Sequence, residues 1–257
     1  MPGQVRLALD GPLARVTLSH PGRLGAMSRA MWRELRAAFL AISADAALRC
    51  VLLEGEEGAF CAGGDIAEYP EFRFDAAALR RFHEDDVWGG LAAVLDCEVP
   101  IVAAIGGPCM GAGVEIACCC DIRIAAASAR FGAPIARLGF PMAPREAQLV
   151  AAVAGEATLR EMLLEAAQMD AAEMKARGFL QRVVPDAALA REALASVERI
   201  AALAPQAARL NKRTLRRLAD RPPPPDLLAS AYDYAPSAEH REGVAAFLEK
   251  RTPRFRA

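Results

Sequence analysis

Apolar and polar positions in the first part of the chain follow the periods of strands and helices in turn. Residues 4–9 and 13–19 alternate around Asp10-Gly11, which predicts a β-hairpin. After Ser28, a predicted helix N-cap, the apolar positions 31, 35, 39 and 42 share one helical face. Apolar runs at 50–53 and 101–105 predict buried strands, and the segment 75–95 between them predicts a helix that Gly89-Gly90 weakens.

The second half continues this alternation and then becomes helical. Residues 122–126 and 180–184 predict strands, and helices are expected from Pro144 to Gly155, through residue 164 and over 170–177. From residue 186 onward the pattern is helical, with breaks at Pro205 and at four prolines, 222–225. Strands alternating with helices predict an α/β fold. We expect a core over residues 1–199 and a helical C-terminal subdomain over 200–257.

Two glycine-rich loops each follow a predicted buried strand. The first contains AGGD at 62–65, and the second contains GAG at 111–113, where a helix is predicted to begin. A helix start presents unpaired backbone N–H groups, and glycine lets another molecule approach the backbone closely. If neighbouring strands bring the loops together, one N–H group from each would point at the same oxygen, which is the geometry that stabilises an oxyanion.

Glu115 lies one turn into the otherwise apolar helix that follows the second loop. Because a carboxylate in such surroundings is costly unless it is paired, Glu115 is a candidate acid/base group with a raised pKa. The alternative is that both loops are ordinary tight turns and that Glu115 pairs with an arginine.

Composition and motifs exclude several classes of function. A net charge of −1 over 257 residues selects neither nucleic acid nor an anionic membrane as a partner. With no basic-then-apolar leader and no apolar run near the ~20 residues of a membrane span, we expect a soluble cytoplasmic protein. The seven cysteines lack paired metal-ligand spacing, so they are expected to be reduced core residues, with no metal site. Neither loop matches the P-loop or the dinucleotide fingerprint.

Other polar and aromatic residues are expected to have structural roles. Asp121 is interpreted as the end or anchor of its helix, and His83 as part of a solvated helix face. Four aromatic residues, Phe72, Phe74, Phe82 and Trp88, are expected to lie mostly in the core. A basic segment is expected to form a solvated face or a subunit contact and consists of Arg209, Lys212, Arg213, Arg216 and Arg217.

Several sequence motifs of the chain resemble those of the crotonase superfamily, which comprises the enoyl-CoA hydratases and isomerases. The resemblance is carried by FCAGGDI at 60–66 and by GGPCMGAGVEIACCCD at 106–121. Weaker similarity is present in PGRL at 21–24, FGAP at 131–134 and REGVAAFLEKR at 241–251. Together these motifs cover nearly the whole chain in the order of the family.

The resemblance implies a spiral of ββα units with a helical C-terminal region that builds homotrimers, usually paired into hexamers. Its substrates are acyl-CoA thioesters, with coenzyme A as part of the substrate and no further cofactor. The backbone N–H groups of Gly64 and Ala112 would hold the thioester oxygen, and Lys250 would reach the nucleotide of CoA from a neighbouring subunit. The CoA path would be lined by Arg23, Leu24, Ala62, Asp65, Ile66 and Ala67.

One departure from the family concerns the reaction itself. Its hydratases hold a water between two glutamates; Glu115 matches the first, but the second falls at Ile135, which transfers no proton. Loss of one general acid/base costs ~10²–10⁴-fold in rate. Glu146 is a candidate substitute, although its place in a first helical turn favours a solvated carboxylate. At Ala67 a CoA-contacting lysine can occur in the family, so altered contacts with CoA are expected.

We therefore expect an acyl-CoA enzyme of the hydratase/isomerase type, with Glu115 as the acid/base and Gly64 and Ala112 as oxyanion donors. Because of Ile135, the alternative is a different enolate reaction: isomerisation, decarboxylation or thioester hydrolysis. A further alternative is a non-catalytic acyl-CoA-binding protein that keeps the scaffold.

Overall fold

Two β-sheets flanked by helices form the fold in the computed structural model, which describes residues 2–218 and 238–255. The strands are β1 Gln4–Asp10, β2 Leu13–Ser19, β3 Cys50–Gly55, β4 Ile101–Ile105, β5 Pro108–Met110, β6 Ile122–Ala126, β7 Arg130–Gly132, β8 Gln168–Asp170 and β9 Arg182–Val184. The helices are α1 Arg29–Ala44, α2 Ala76–Arg81, α3 Trp88–Asp96, α4 Ala112–Cys118, α5 Pro144–Ala154, α6 Glu156–Arg160, α7 Ala171–Ala176, α8 Leu189–Ala201, α9 Pro205–Arg217 and α10 Ala238–Leu248.

The larger sheet has the strand order β1-β2-β3-β4-β6-β9, and the smaller sheet has the order β5-β7-β8. The hairpin β1-β2 is antiparallel as predicted, whereas β2, β3, β4, β6 and β9 run parallel. Strand β4 leads into β5 of the smaller sheet and then into helix α4. In the same way, β6 leads into β7 and then towards helix α5. These are successive ββα units, and the predicted α/β fold class is confirmed.

The core forms where the predicted apolar faces meet. Helix α1 buries Met31, Leu35, Phe39 and Ile42, and the Ser28 hydroxyl caps it by accepting a hydrogen bond from an N–H group of its first turn. Every residue of β4 and of α4 is buried. All seven cysteines are buried and free, as expected, and burial raises the pKa of a thiol such as Cys61 to about 12.

The helix predicted over 75–95 is irregular at a place other than the one expected. Residues Phe82–Val87 form a wider π-helical turn between α2 and α3. Gly90 instead lies against α1, where a Cβ atom would be 2.9 Å from the Trp32 ring. The expectation of a core position is wrong for Phe74, which is 87% exposed, while Phe72 and Phe82 are buried.

The basic helix α9 contacts its own chain, so the expectation of a solvated face is wrong for Lys212, while the alternative of a subunit contact stays a prediction. Lys212 is buried, and its Nζ lies 2.6 Å from Asp121 Oδ2 and donates to the Val99 carbonyl at 2.7 Å. The same Asp121 oxygen accepts the Ile101 N–H at 2.7 Å, so Asp121 has a structural role, but it anchors the start of β4 and not the helix that we expected. Arg216 donates to the Cys97 carbonyl, which adds a third contact to this region.

The C-terminal part of the chain extends the helical pattern of α8 and α9 into α10. The four prolines at 222–225 lie outside the described residues. The predicted division into a core over 1–199 and a subdomain over 200–257 stays a prediction. None of the helices in the described residues is both long and apolar enough to cross a membrane.

Candidate active site

Both glycine-rich loops and Glu115 line a single cavity of about 220 Å³. Gly64 of the first loop and Ala112 of the second are both part of its wall. The rest of the lining is mainly apolar and aromatic and includes Trp32, Tyr69, Phe82, Met110, Ile135 and Phe140. A mostly apolar pocket with a few convergent polar groups is the usual form of a small-molecule site.

Parallel strand pairing brings the two loops together. Strands β3 and β4 are neighbours in register, with Val51 opposite Ile101, so the loops that follow them leave the same edge of the sheet. The loops are then joined directly, because the Cys61 N–H donates to the Pro108 carbonyl at 3.0 Å and the Met110 N–H donates to the Cys61 carbonyl at 2.9 Å. The arrangement on which the predicted oxyanion geometry depended is therefore present.

The backbone N–H groups of Gly64 and Ala112 are available to a ligand. Ala112 is the first residue of α4, where helical geometry leaves the N–H group without an internal acceptor. Neither N–H group donates a hydrogen bond within the described residues. A Cβ atom on Gly64 would lie 2.3 Å from the Tyr69 hydroxyl, so any larger residue here would displace the Tyr69 ring or the loop.

Gly113 explains how α4 approaches the first loop so closely. A Cβ atom at this position would lie 2.6 Å from the Cys61 carbonyl oxygen, which is backbone that cannot rotate away. The preceding Gly111 has φ +47°, in the left-handed region that favours glycine. The two glycines that flank Ala112 therefore serve the junction between the loops.

Glu115 is a buried carboxyl group in the wall of the cavity. Among the described residues its side chain has neither an ion pair nor a hydrogen bond, so the alternative of an arginine partner has no support in this part of the chain. Burial raises the pKa of Glu115 to about 8, and the negative charge of Glu146 adds to the shift. At neutral pH the group holds its proton and is able to donate it.

His83 and Glu146 form a pair that we did not expect from the sequence. Glu146 is only 2% exposed, and its Oε1 lies 3.0 Å from His83 Nδ1. His83 itself lines the cavity that contains Glu115. The interpretation as solvated is wrong for Glu146, because α5 packs against α4 and its first turn is covered by the π-helical turn, while His83 is half-buried.

Ile135 lies in a 3-10 turn, Ile135–Leu138, and lines the cavity where the family's second glutamate was expected to fall. Two further residues of the wall were missed. Arg73 stacks on the rings of Phe140, at 3.4 Å, and Tyr69, at 4.5 Å, and all three lie against the cavity. The aromatic enrichment of 69–82 was visible in the sequence, but it did not indicate which rings meet.

The seven residues expected to contact CoA fall into three groups. Ala62 and Ile66 line the cavity, and Ile66 is half exposed at its mouth. Arg23 and Asp65 form an ion pair, with Nη1 to Oδ2 at 2.6 Å, and line a neighbouring cleft. The remaining three residues lie at the surface or support it: Leu24 is exposed with φ +50°, the Ala67 N–H donates to Asp65, and Lys250 is exposed and lines neither cavity.

Comparison with known proteins identifies the family of the chain. The family described as "Enoyl-CoA hydratase/isomerase" matches residues 10–257. A probable enoyl-CoA hydratase of Mycobacterium bovis is 33% identical over 249 residues, covering 96% of this chain and 95% of its own. One from Rhizobium meliloti is 33% identical over 255 residues, with the same coverage. The structure of an enoyl-CoA hydratase/carnithine racemase from Magnetospirillum magneticum superposes with a TM-score of 0.95 at 40% identity, covering 98% of this chain and 95% of that one.

Proposed function

The chain belongs to the enoyl-CoA hydratase/isomerase family, and from this premise we propose that it converts an acyl-CoA thioester through an enolate. In this proposal the N–H groups of Gly64 and Ala112 hold the thioester oxygen, and Glu115 exchanges a proton with the acyl carbons. The observation that carries the proposal is the one cavity that both loops and Glu115 line.

The chemistry requires charge stabilisation at the thioester oxygen. When a nucleophile adds to Cβ of an enoyl thioester, or when a proton leaves Cα, negative charge moves to that oxygen. Two donors already aimed at the oxygen need no reorganisation, and each contributes about 3 kcal/mol of transition-state stabilisation in comparable sites. The apolar walls exclude water that would otherwise weaken these interactions.

Glu115 supplies the proton in this scheme. Its raised pKa, about 8, leaves the carboxyl group neutral at pH 7, so that it acts as an acid towards the enolate carbon. After donation, the carboxylate is an equally suitable base for the reverse reaction. The same group therefore serves hydration and isomerisation.

A second candidate function is another enolate reaction: isomerisation, decarboxylation or thioester hydrolysis. The observation that favours it is Ile135, an apolar side chain in the wall where the hydratases of the resemblance carry their second glutamate. A third candidate, an acyl-CoA-binding protein without turnover, keeps the loops and makes no use of the proton on Glu115.

We extend the proposal to the binding of CoA and to the assembly of subunits. Asp65 receives an ion pair from Arg23 beside the cavity, which gives the CoA path a fixed polar edge. Lys250 is exposed in its own chain, which is compatible with a contact to CoA bound by a neighbouring subunit of a homotrimer or homohexamer.

Replacement of Glu115 by glutamine tests the function. E115Q keeps the size of the side chain and removes the exchangeable acid, so turnover is expected to fall ~10²–10⁴-fold. The measurement uses a panel of enoyl-CoA and acyl-CoA thioesters, with products identified by mass spectrometry, and the exposed Glu156→Gln serves as the control. Unchanged turnover in E115Q would refute the assignment, and tight binding without turnover in the wild type would support the binding protein.

A further inference from the structure

His83 and Glu146 form a second proton-handling pair in the wall that Glu115 shares. The Glu146 carboxylate only accepts hydrogen bonds, so at 3.0 Å the His83 Nδ1 carries the proton and donates it. This leaves Nε2 as an acceptor in the neutral ring, with no hydrogen bond of its own within the described residues. A histidine held in this way by a buried carboxylate is the arrangement of a general base.

We propose that His83 is the base that activates water for addition to the enoyl thioester, and that Glu146 is the residue that positions it. The inference rests on the proposed function and deepens it by naming the group that replaces the glutamate absent at position 135. It makes hydration of 2-enoyl-CoA thioesters the reaction that this site is built to perform.

The step balances with the groups present. His83 Nε2 takes one proton from water as the water oxygen bonds to Cβ, and the electrons of the double bond move to the thioester oxygen between Gly64 and Ala112. Glu115 then gives its proton to Cα, and the enolate collapses to the 3-hydroxyacyl thioester. The proton on His83 returns to the Glu115 carboxylate through solvent, which restores the starting state without any other reactant.

Glu115 and the His83–Glu146 pair differ in a way that suits the first as the acid and the second as the base. Glu115 has no partner in the described residues and keeps its proton at neutral pH, so a separate base is needed for the water. Glu146 is buried but bonded to the imidazole, and its negative charge favours the imidazolium that forms. The charged groups around His83 are Glu146 and Arg145 on α5, Glu115 and Arg73 in the cavity wall, and Glu84, Asp85 and Asp86 on its own turn.

The local backbone supports a functional role for His83. It lies in the π-helical turn Phe82–Val87, and such wide turns inside helices are frequent at functional sites because they redirect a side chain. The His83 ring packs edge-on against Phe82 at 5.1 Å, which restricts its rotation. His83 is also the one histidine in the wall of the cavity.

The test compares two reactions of the same site. Hydration of crotonyl-CoA requires a base for water, whereas exchange of the α-protons of butyryl-CoA in D₂O requires only Glu115 and the oxyanion donors. The variants are H83Q, E146Q and E115Q. The matched control is E84Q, because Glu84 is the next residue, is exposed and carries the same charge as Glu146.

H83Q is expected to lose hydration ~10²–10⁴-fold while exchange stays within about threefold of wild type. E146Q is expected to lose ~10-fold or more in the kcat of hydration and to move the acidic limb of its pH–rate profile to lower pH, because the imidazolium has lost its counter-charge. Partial recovery in E146D supports positioning by charge, since a merely structural contact would not restore the pH profile. E84Q is expected to match wild type in both reactions, and thermal melting checks that each variant is folded.

Three outcomes overturn the inference. They are undiminished hydration in folded H83Q, parallel loss of hydration and exchange in H83Q, and wild-type protein that exchanges α-protons but hydrates no 2-enoyl-CoA of the panel. In the last case the enolate site of the proposed function stands and the base assignment fails. Loss of neither reaction in E115Q would instead overturn the proposed function.

Discussion

The first turns of α4 and α5 each bury a glutamate, and the two glutamates have different surroundings. Glu115, on α4, faces the cavity without a partner in the described residues, and burial raises its pKa to about 8. Glu146, on α5, is more deeply buried and is bonded to His83 at 3.0 Å. The residue type is the same, and the tertiary contacts decide which carboxyl group holds a proton and which one orients a base.

This difference is the basis of the proposed division of labour between Glu115 as the acid and the His83–Glu146 pair as the base. A second carboxylate in direct contact with Glu115 would leave the two groups competing for one proton. Glu146 is instead screened behind an imidazole, which separates the tasks of acid and base. Four predictions test the contrast between the two glutamates, and the first concerns the proposed donor at Gly64.

Alanine at position 64 is expected to lower kcat ~10²–10³-fold for hydration and for α-proton exchange alike. The added Cβ atom would lie 2.3 Å from the Tyr69 hydroxyl, so the loop or the Tyr69 ring must shift, and both line the cavity beside the proposed donor. Steady-state kinetics on both reactions measures the loss. The control is G89A, where an added Cβ meets nothing closer than 3.6 Å. A loss confined to one reaction would show that the two reactions do not share Gly64.

The stability of the protein is expected to report the burial of Glu115. Since the folded pKa, about 8, lies above the ordinary 4.5, the unfolded chain releases this proton first as pH rises. Wild-type stability therefore falls between about pH 4.5 and 8, while glutamine at this position has no such loss. Relative to wild type, the free energy of unfolding of E115Q is expected to rise by on the order of 5 kcal/mol between pH 4 and pH 9.

Urea unfolding of E115Q and wild type at the two pH values measures this difference. The control is E156Q, in which an exposed carboxylate is replaced, and it should show little change between the two pH values. An equal stability difference at pH 4 and pH 9 for E115Q would mean that Glu115 is not perturbed in the folded state.

A glutamate at Ile135 is expected to rescue a protein that lacks His83. Position 135 lines the same cavity, so I135E places a carboxylate where the hydratases of the resemblance have one. In the H83Q background, I135E is expected to raise the kcat of crotonyl-CoA hydration by about tenfold, or ~1.4 kcal/mol. The isosteric I135Q, which has no base, is the control. Equal rates in I135E and I135Q would show that position 135 does not reach the attacking water.

The smallest effect is expected at a third carboxylate, Asp65, which is paired with Arg23 at the half-exposed edge of the site. R23Q removes a partly solvated ion pair, and such pairs contribute about 1 kcal/mol or less. We expect KM for acyl-CoA to rise about threefold with kcat unchanged, because the contact is equal in ground and transition state. R15Q, at the exposed Arg15, is the control, and a fall in kcat for R23Q would place Arg23 closer to the chemistry.

The sequence was sufficient for the parts of the site that are local. A strand followed by glycines and a helix start is one continuous stretch, so spacing and composition indicated the two loops and Glu115. The choice of Gly64 and Ala112 as the expected donors came from the resemblance and stays a prediction. The apolar side chain at Ile135 was equally visible. The hairpin and α1 followed from periodicity because their patterns repeat over several turns or strand residues.

Only the tertiary structure decided the pairing of His83 with Glu146. The two residues are 63 positions apart, and each alone has the pattern of a solvated helical residue. Their burial depends on how α5 packs against α4 and on a π-helical turn that no local pattern indicated. Lys212 and Asp121 are a similar case, since a charged residue is buried wherever long-range packing supplies its counter-charge. Periodicity indicates which face of a helix or strand is apolar, whereas the partner of a buried charged residue depends on long-range packing.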